Sequence, residues 1–343
     1  MINRTLCFLL LWLALASAPG QAAFVNGHSY VPLADWAQAN GLKVAWLRRG
    51  DQIAVANHNL RAIFVINSAA AEINGVAVRL CFPAASAHGI PLISQLDADK
   101  TLRPFLYPPR TPAGKRITTI CLDPGHGGRD TGNQVGAHSE KTYTLALAQE
   151  VRDQLQLAGF QVFLTRNDDT YPELPLRPAQ ANRRGADLFV SLHFNATEND
   201  RQDVQGTETY CITPVGASSS NAQGEGAGYG PTSANHNEQK SILLAWSVQK
   251  ALVHLLGAPD RAVRRARYAV LRDAIMPSIL VEGGYMTHPV EGARIFTPGY
   301  RRLMARAIVQ GILTYQKSLQ APAATIPSHS KHPTHSVYSH SPR

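Results

Sequence analysis

Short apolar runs alternate with helix-type apolar spacing over the second two thirds of the chain. The runs that predict buried strands are residues 117–122, 160–165, 188–192, 206–212 and 278–281. Apolar residues recur at helical spacing between these runs and predict helices at residues 140–157, 176–184, 238–256 and 300–319. The alternation predicts an α/β fold with a mostly parallel sheet flanked by helices.

The first part of the chain shows a different pattern, which is typical of short β-strands. After a short helix at residues 34–39, apolar positions alternate with polar ones from Val44 to Ile66. Asn74-Gly75, placed between two apolar residues, is a strong signal for a two-residue hairpin turn. We therefore predict that a small β-rich domain at residues 24–107 precedes an α/β domain at residues 116–318.

A linker is predicted at residues 108–115, which hold three prolines and a glycine. Such a segment cannot continue a strand or a helix. A linker of this kind indicates that the two domains share few contacts, so we expect the α/β domain to fold without the first domain.

Both ends of the chain are predicted to lie outside the folded domains. Arg4 precedes an apolar run at residues 6–16 that is too short to span a bilayer, which predicts a cleaved signal peptide at residues 1–23. The alternative is an uncleaved anchor. Residues 319–343 are rich in proline, serine and histidine and predict a disordered tail, with metal capture by the histidines as the alternative. We expect an exported protein, periplasmic or associated with the cell wall, without stable membrane insertion after signal cleavage.

Composition narrows the class of partner. The chain is 44% hydrophobic and 17% charged, as globular proteins are, and its formal charge of +9 favours an anionic partner. Nucleic acid, a membrane surface and an acidic cell-wall polymer all satisfy that condition. No basic motif with interleaved aromatic residues is present, so we predict no nucleic-acid partner.

The cysteines do not predict a disulfide framework. Cys7 leaves with the signal peptide, and Cys81, Cys121 and Cys211 lie in apolar runs without metal-ligand spacing. Buried thiols are the expected state of all three. A bridge between Cys121 and Cys211 stays open if their strands are neighbours.

Four side chains suited to metal chemistry stand at the ends of predicted elements. His126 lies in a glycine-rich loop after the first strand, and Glu140 begins a helix. His193 and Glu282 each follow directly on a strand. Ligands bind at the carboxyl edge of such sheets, so one shared site is expected. Two histidines and a carboxylate with an open fourth position are typical of catalytic Zn²⁺.

The sequence around these four residues resembles a known enzyme family. The matching blocks are Asp123-Pro124-Gly125-His126-Gly127-Gly128, Ser139-Glu140-Lys141, Ser191-Leu192-His193-Phe194-Asn195-Ala196 and Val281-Glu282-Gly283-Gly284-Tyr285. They resemble the zinc-dependent N-acetylmuramoyl-L-alanine amidases of the amidase-3 family, in the same order, from about residue 116 to 315.

The resemblance implies roles for these residues and a reaction. It implies that His126, Glu140 and His193 bind Zn²⁺ and that Glu282 is the catalytic carboxylate. It also implies cleavage of the amide between the lactyl group of N-acetylmuramic acid and L-alanine in peptidoglycan. The chemistry agrees, because an amide is a poor electrophile and neutral water is a poor nucleophile, and a bound zinc ion activates both. A carboxylate must still move the proton from the water to the departing amine. The first domain is loosely similar to the copper amine oxidase N-terminal-like domain, which implies a wall-targeting or spacer role.

Polar residues outside the predicted ligand set also have expected roles. Arg166, Arg177 and Asn182 are expected to make structural contacts in loops and at the sheet. Asn195 follows His193 closely and is expected either to hold a ligand or to contact substrate. The basic segment at residues 261–267 is expected to be a solvated face, and the alternative is that it attracts carboxylates of the stem peptide.

The chain departs from the family after Glu282. The family usually carries Phe at the position of Tyr285 and Ser-Asn at Thr287-His288. We expect His288 to be an exposed loop residue rather than a proton donor or an additional ligand.

Three other functions are considered on the same residues. The first is a zinc peptidase that cuts within the stem peptide, and the second is a wall-binding protein without activity. The third is an iron(II) oxygenase, which also uses two histidines and a carboxylate but has a short His-x-Asp/Glu spacing that is absent here. Retention of all four site residues argues against an inactive protein, and an oxygenase needs no equivalent of Glu282.

The sequence also predicts activity without an activator protein. Some relatives in this family carry a helical insert that covers the zinc until a partner removes it. The comparable segment here, residues 216–237, is rich in glycine and serine and has no apolar stripe. We expect a loop there rather than a blocking helix.

Overall fold

The computed structural model describes residues 23–110, 116–199, 202–221 and 230–320. Outside these ranges lie the predicted signal peptide except Ala23, residues 111–115 of the predicted linker, and nearly all of the predicted tail. Among the helices that these ranges contain, none combines the length and apolarity needed to cross a membrane.

The first part of the chain is rich in short strands, as predicted. Its strands are β1 (Ala23–Val25), β2 (His28–Pro32), β3 (Lys43–Arg48), β4 (Gln52–Ala56), β5 (Arg61–Val65), β6 (Ser68–Ile73), β7 (Val76–Ala87) and β8 (Ile90–Ser94). Its helices are α1 (Leu33–Ala39), α2 (Gln95–Asp97) and α3 (Arg103–Leu106), with a π-helical turn at Ala98–Leu102. Asn74 and Gly75 form the predicted hairpin turn with φ of 49° and 82°.

The second part alternates strands and helices. Its strands are β9 (Thr119–Pro124), β10 (Gln134–Val135), β11 (His138–Ser139), β12 (Gln161–Leu164), β13 (Leu188–Asn195), β14 (Thr207–Ile212), β15 (Asp260–Ala266) and β16 (Ser278–Tyr285). Its helices are α4 (Glu140–Leu157), α5 (Leu176–Arg183), α6 (Glu238–Leu256), α7 (Ala269–Arg272), α8 (Pro289–Ile295) and α9 (Pro298–Gln320), with a 3₁₀ turn at Ser233–Asn237.

These elements form a mostly parallel sheet between two layers of helices, so the predicted fold class is confirmed. The strand order is β12-β9-β13-β16-β14-β15, and the pair β14–β16 is antiparallel. Alternation along β13 and β16 sends Val190, Leu192 and Val281 into the core beneath α4, α6 and α9. Phe189 and Leu280 enter a second core on the other face.

The two parts of the chain share more contacts than the linker predicts. The sheet continues from β15 into β7, where Val263 and Val78 are register partners. Asp260 accepts a hydrogen bond from the backbone N–H of Ala77 at 2.8 Å, and the Trp246 indole donates to the carbonyl of Ile73 at 2.8 Å. The expectation of few contacts is wrong, because the edge of β15 would otherwise expose unpaired backbone groups and a buried valine.

We therefore expect deletion of residues 24–107 to destabilise the rest of the chain. The deletion removes the partner of the β15 edge and uncovers apolar residues of the shared core. Calorimetry should show a midpoint of thermal unfolding at least about 5 °C below that of the full chain. Deletion of residues 321–343 is the control. Equal midpoints for the two truncated proteins would contradict the expectation.

The cysteines of the described residues are free thiols. Cys121 and Cys211 are buried and Cys81 is half-buried. Strands β13 and β16 separate the strands of Cys121 and Cys211, so the bridge left open by the sequence does not form.

Candidate metal centre

His126 projects from the loop that follows β9 because the local backbone takes unusual conformations. Its own φ is 62°, in the left-handed region that few non-glycine residues adopt. Gly125 leaves room for the second histidine, since a Cβ there would stand 2.2 Å from Cε1 of His193. The missing side chain at Gly125 therefore gives the imidazole of His193 its space beside the loop that carries His126.

The structure brings the three predicted ligands together. Oε1 of Glu140 lies 3.1 Å from Nε2 of His126 and 3.0 Å from Nδ1 of His193. One ligand atom from each residue lies within 4.8 Å of the others. Glu140 is buried at the first position of α4, while the two imidazoles are partly open to a cavity. This nitrogen and oxygen set, with one side open, fits Zn²⁺.

Two residues that sequence reasoning missed hold these side chains in place. Asn133 donates from its backbone N–H and from Nδ2 to Oε2 of Glu140, at 3.0 and 2.8 Å. Oε1 is thereby left to face the imidazoles. Oδ2 of Asp130 lies 2.9 Å from Nδ1 of His126, which fixes the ring with Nε2 towards the centre. The sequence could have indicated Asp130, because it is a carboxylate four residues after His126 and close to the matching motif.

The charges of the centre suit a cation. Burial by itself would raise the pKa of Glu140, but hydrogen bonds with His126 and His193 hold it well below its usual range. Burial opposes a charge on His126, yet the neighbouring Glu140 and Asp130 outweigh it and raise its pKa. A carboxylate that stays ionised between two imidazoles favours any positive charge placed there, including a metal ion.

Glu282 lies beside the centre and belongs to the same cavity. It is the register partner of His193 across β13 and β16, so both side chains leave the sheet on one face. Its Oε2 is buried and has no hydrogen-bond partner among the described residues. A cavity of about 450 Å³ is lined by Glu282 together with His126, Glu140 and His193. Burial, and then the charges of Glu140 and Glu208, raise the pKa of Glu282 well above its usual range.

Arg166 and Arg177 make structural contacts, as expected. Arg177 is fully buried and donates to Oδ1 of Asp123 at 2.9 Å and to the carbonyl of His126 at 2.8 Å. Arg166 donates to the carbonyls of Pro124 and Gly125. Both guanidinium groups therefore hold the loop that carries His126. Asn182 likewise bonds the backbone of residues 273 and 275.

The basic segment is mostly part of the protein interior, so the expectation of a solvated face is wrong. Arg265 and Arg267 are buried and donate to backbone carbonyls, including that of Lys100 in the first part of the chain. Arg261 and Arg264 are partly exposed and face Glu208. Asn195 donates to the same Glu208 at 2.8 Å.

His288 is buried, with 6% of its surface exposed, so the expectation of an exposed loop residue is wrong. It is the N-cap of α8, and its Nδ1 accepts a hydrogen bond from the N–H of Glu291. Pro289 stands at the first helical position, where proline is common, and this was the signal for a helix start. His288 does not line the cavity.

Comparison with known proteins gives one consistent result. A family model described as N-acetylmuramoyl-L-alanine amidase, Amidase_3, matches residues 120–314. AmiC of Neisseria meningitidis, an N-acetylmuramoyl-L-alanine amidase, is 34% identical over 241 residues, which are 64% of this chain and 57% of that protein. AmiA of Escherichia coli, which is also an N-acetylmuramoyl-L-alanine amidase, is 32% identical over 226 residues. These residues are 59% of this chain and 76% of AmiA.

A solved structure agrees. The structure of AmiC2 from Nostoc punctiforme, an N-acetylmuramoyl-L-alanine amidase, matches this chain with a TM-score of 0.50 and 33% sequence identity. The match covers 60% of this chain and 99% of the AmiC2 chain. The match to the Neisseria protein, in contrast, spans little more than half of that protein's length.

Proposed function

The chain belongs to the N-acetylmuramoyl-L-alanine amidase family, and from this membership we propose that it is a zinc-dependent hydrolase of peptidoglycan. The bond cut is the amide between the lactyl group of N-acetylmuramic acid and L-alanine. One observation carries the proposal. A buried oxygen of Glu282, which has no hydrogen-bond partner in the described part of the chain, shares a cavity with a cluster of two histidines and a glutamate.

Each residue of the cavity has a task in this reaction. His126, Glu140 and His193 would hold the metal, and Asp130 and Asn133 keep two of those ligands in orientation. When bound, Zn²⁺ supplies polarisation of the amide carbonyl and makes a water molecule acidic enough to react near neutral pH.

Glu282 is the group that moves the proton. Its Oε2 would take a proton from the attacking water and deliver it to the amine nitrogen of the departing L-alanine. A pKa raised by burial and by nearby carboxylates suits a group that must carry a proton near neutral pH. Gly283 and Gly284 follow Glu282 within β16, where an added Cβ would stand 2.7 Å from Met304 and from Glu291 respectively, so the glycines let the strand that carries Glu282 pack closely.

Product analysis tests the proposal directly. Purified peptidoglycan is digested, the products are identified by mass spectrometry, and the zinc content of the same enzyme sample is measured. We expect free stem peptides that begin with L-alanine, and glycan strands without peptide, from enzyme that carries about one zinc per chain. Products cut within the stem peptide would instead indicate a peptidase, and absence of products would indicate a wall-binding protein.

We further propose that the protein is exported and needs no activator protein. The predicted signal peptide supports export. The start of the loop at residues 216–237 is held in place, since Ser220 accepts from the N–H of Arg265 and Asn221 donates to the hydroxyl of Tyr268, which lines the cavity. No residue of this loop is among those that line the cavity, within the part of the chain that the structure describes.

Replacement of residues 222–229 by a short Gly-Ser link should therefore change activity on soluble substrate by less than about threefold. The link keeps Ser220 and Asn221, so their anchoring contacts are retained. Initial rates on a synthetic muramoyl peptide, without any added protein, provide the measurement. A rise of tenfold or more on replacement would mean that the loop blocks the site.

A further inference from the structure

The face of the sheet that carries the metal ligands continues past Glu282 into a group of charged residues. Glu208 in β14 is the register partner of Glu282, and Arg264 in β15 is that of Tyr210. His193, Glu282, Glu208 and Arg264 therefore stand on four successive strands and on one face. His193 and Glu282 line the cavity described above, whereas Glu208 and Arg264 do not.

Two arginines meet a single carboxylate at the end of this row. Nε of Arg264 lies 2.9 Å from Oε2 of Glu208, and Nε of Arg261 lies 3.7 Å from the same oxygen. The guanidinium of Arg261 also stacks over the ring of Tyr285 at 4.9 Å. Glu208 is buried, while the two arginine side chains are 31% and 25% exposed. The two guanidinium groups therefore share one buried carboxylate and stay partly open to solvent.

The arginine side chains retain free donors on that open side. Within the described ranges, the terminal nitrogens of Arg261 and Arg264 make no hydrogen bond, and Nε of Arg261 is buried without one. A guanidinium presents a planar fork that matches a carboxylate, so a negatively charged group would complete this arrangement.

An irregular backbone fixes the position of both arginines. Ala262, between them, has φ of 85°, a strained conformation for alanine, and the pairing of β14 with β15 shifts register at this point. Oδ1 of Asp260 holds the strained residue by accepting from its N–H at 3.0 Å and from Gln249 at 2.8 Å. Strained backbone that surrounding contacts maintain is common at ligand sites.

We propose that Arg261 and Arg264 form a subsite for a carboxylate of the stem peptide. The inference rests on the proposed function and adds a determinant of substrate choice. Strand β15 lies two strand spacings, ~10 Å, from the strand of Glu282. An extended peptide advances ~3.4 Å per residue, so the bound carboxylate belongs to about the second or third residue after the cut amide.

Binding of free peptides tests the subsite without relying on cleavage. The probes are L-Ala-γ-D-Glu-meso-diaminopimelate and the same tripeptide with its carboxylates amidated, and calorimetry gives both affinities. Wild type should bind the acidic peptide about tenfold more tightly than the amidated one. Arg261→Gln should reduce that ratio of affinities to less than about twofold, chiefly by weakening the binding of the acidic peptide. Arg261→Lys, which keeps the positive charge, should retain part of the preference.

A matched control separates the subsite from the general positive charge of the protein. Arg306→Gln removes an exposed arginine from α9 and should leave the tenfold ratio unchanged. The proposal is overturned if wild type binds both peptides equally, if Arg261→Gln keeps the full ratio, or if Arg306→Gln lowers it as much. The experiment measures binding and not cleavage. If the wild-type protein prefers the acidic peptide but releases no product from peptidoglycan, the proposed reaction is wrong and the proposed subsite is still supported.

Discussion

Glu282→Gln should keep its zinc and lose turnover by about a thousandfold or more. Glutamine has nearly the same shape, and the ligand cluster of His126, Glu140 and His193 does not include residue 282. An amide cannot accept the proton of the attacking water or pass it to the amine, and general acid–base catalysis contributes about 10²–10⁴-fold. Turnover is measured on a synthetic muramoyl-L-alanyl peptide, and zinc by elemental analysis of the same sample.

Glu72→Gln is the matched control, since it neutralises an exposed carboxylate in β6 that pairs with Arg61. It should leave both zinc content and turnover unchanged. If the turnover of Glu282→Gln were within a few-fold of wild type, Glu282 would not be the group that carries the proton. Loss of zinc in that variant would instead assign it to the metal site.

His193→Ala should lose zinc and activity together. The imidazole is one of three clustered ligands, and its removal leaves two donors that cannot hold the ion with the usual affinity. Glu140 would also lose one of the hydrogen bonds that keep it ionised. Elemental analysis should find less than a tenth of the wild-type zinc, and turnover should fall to background.

His236→Ala provides the comparison, because His236 is exposed on the 3₁₀ turn and far in sequence from the cluster. It should retain full zinc and full activity. If His193→Ala purified with a full complement of zinc, the proposed ligand set would be wrong.

The sequence predicted the members of the site but not the contacts that orient them. His126, Glu140 and His193 could be found because each lies within two residues of the start or end of an element, and such positions converge at one edge of a parallel sheet. Asn133 is different, since its contacts with Glu140 and Phe194 depend on how the loop packs against β13. No periodicity or spacing encodes that packing.

The errors in the fold have a similar origin. Helices α4 and α6 were predicted at their observed residues because their patterns are local. The role of β15 was missed because its arginines hide a strand, and burial of Arg265 depends on carbonyl groups supplied by another part of the chain. The expectation of few contacts rested on the proline-rich linker, but a linker says nothing about pairing between strands that lie far apart in sequence.

The sheet that runs from β15 into β7 also has a consequence for how the chain folds. Ala77 and Asp260, which join the two strands, lie 183 positions apart. Contacts of such long range form slowly, because a large loop must close before they contribute. A chain that emerges from its N-terminus therefore completes the first part early, with one edge of β7 still bare. Until β15 arrives, that edge is a site for pairing with other chains, so incomplete molecules should be prone to aggregation.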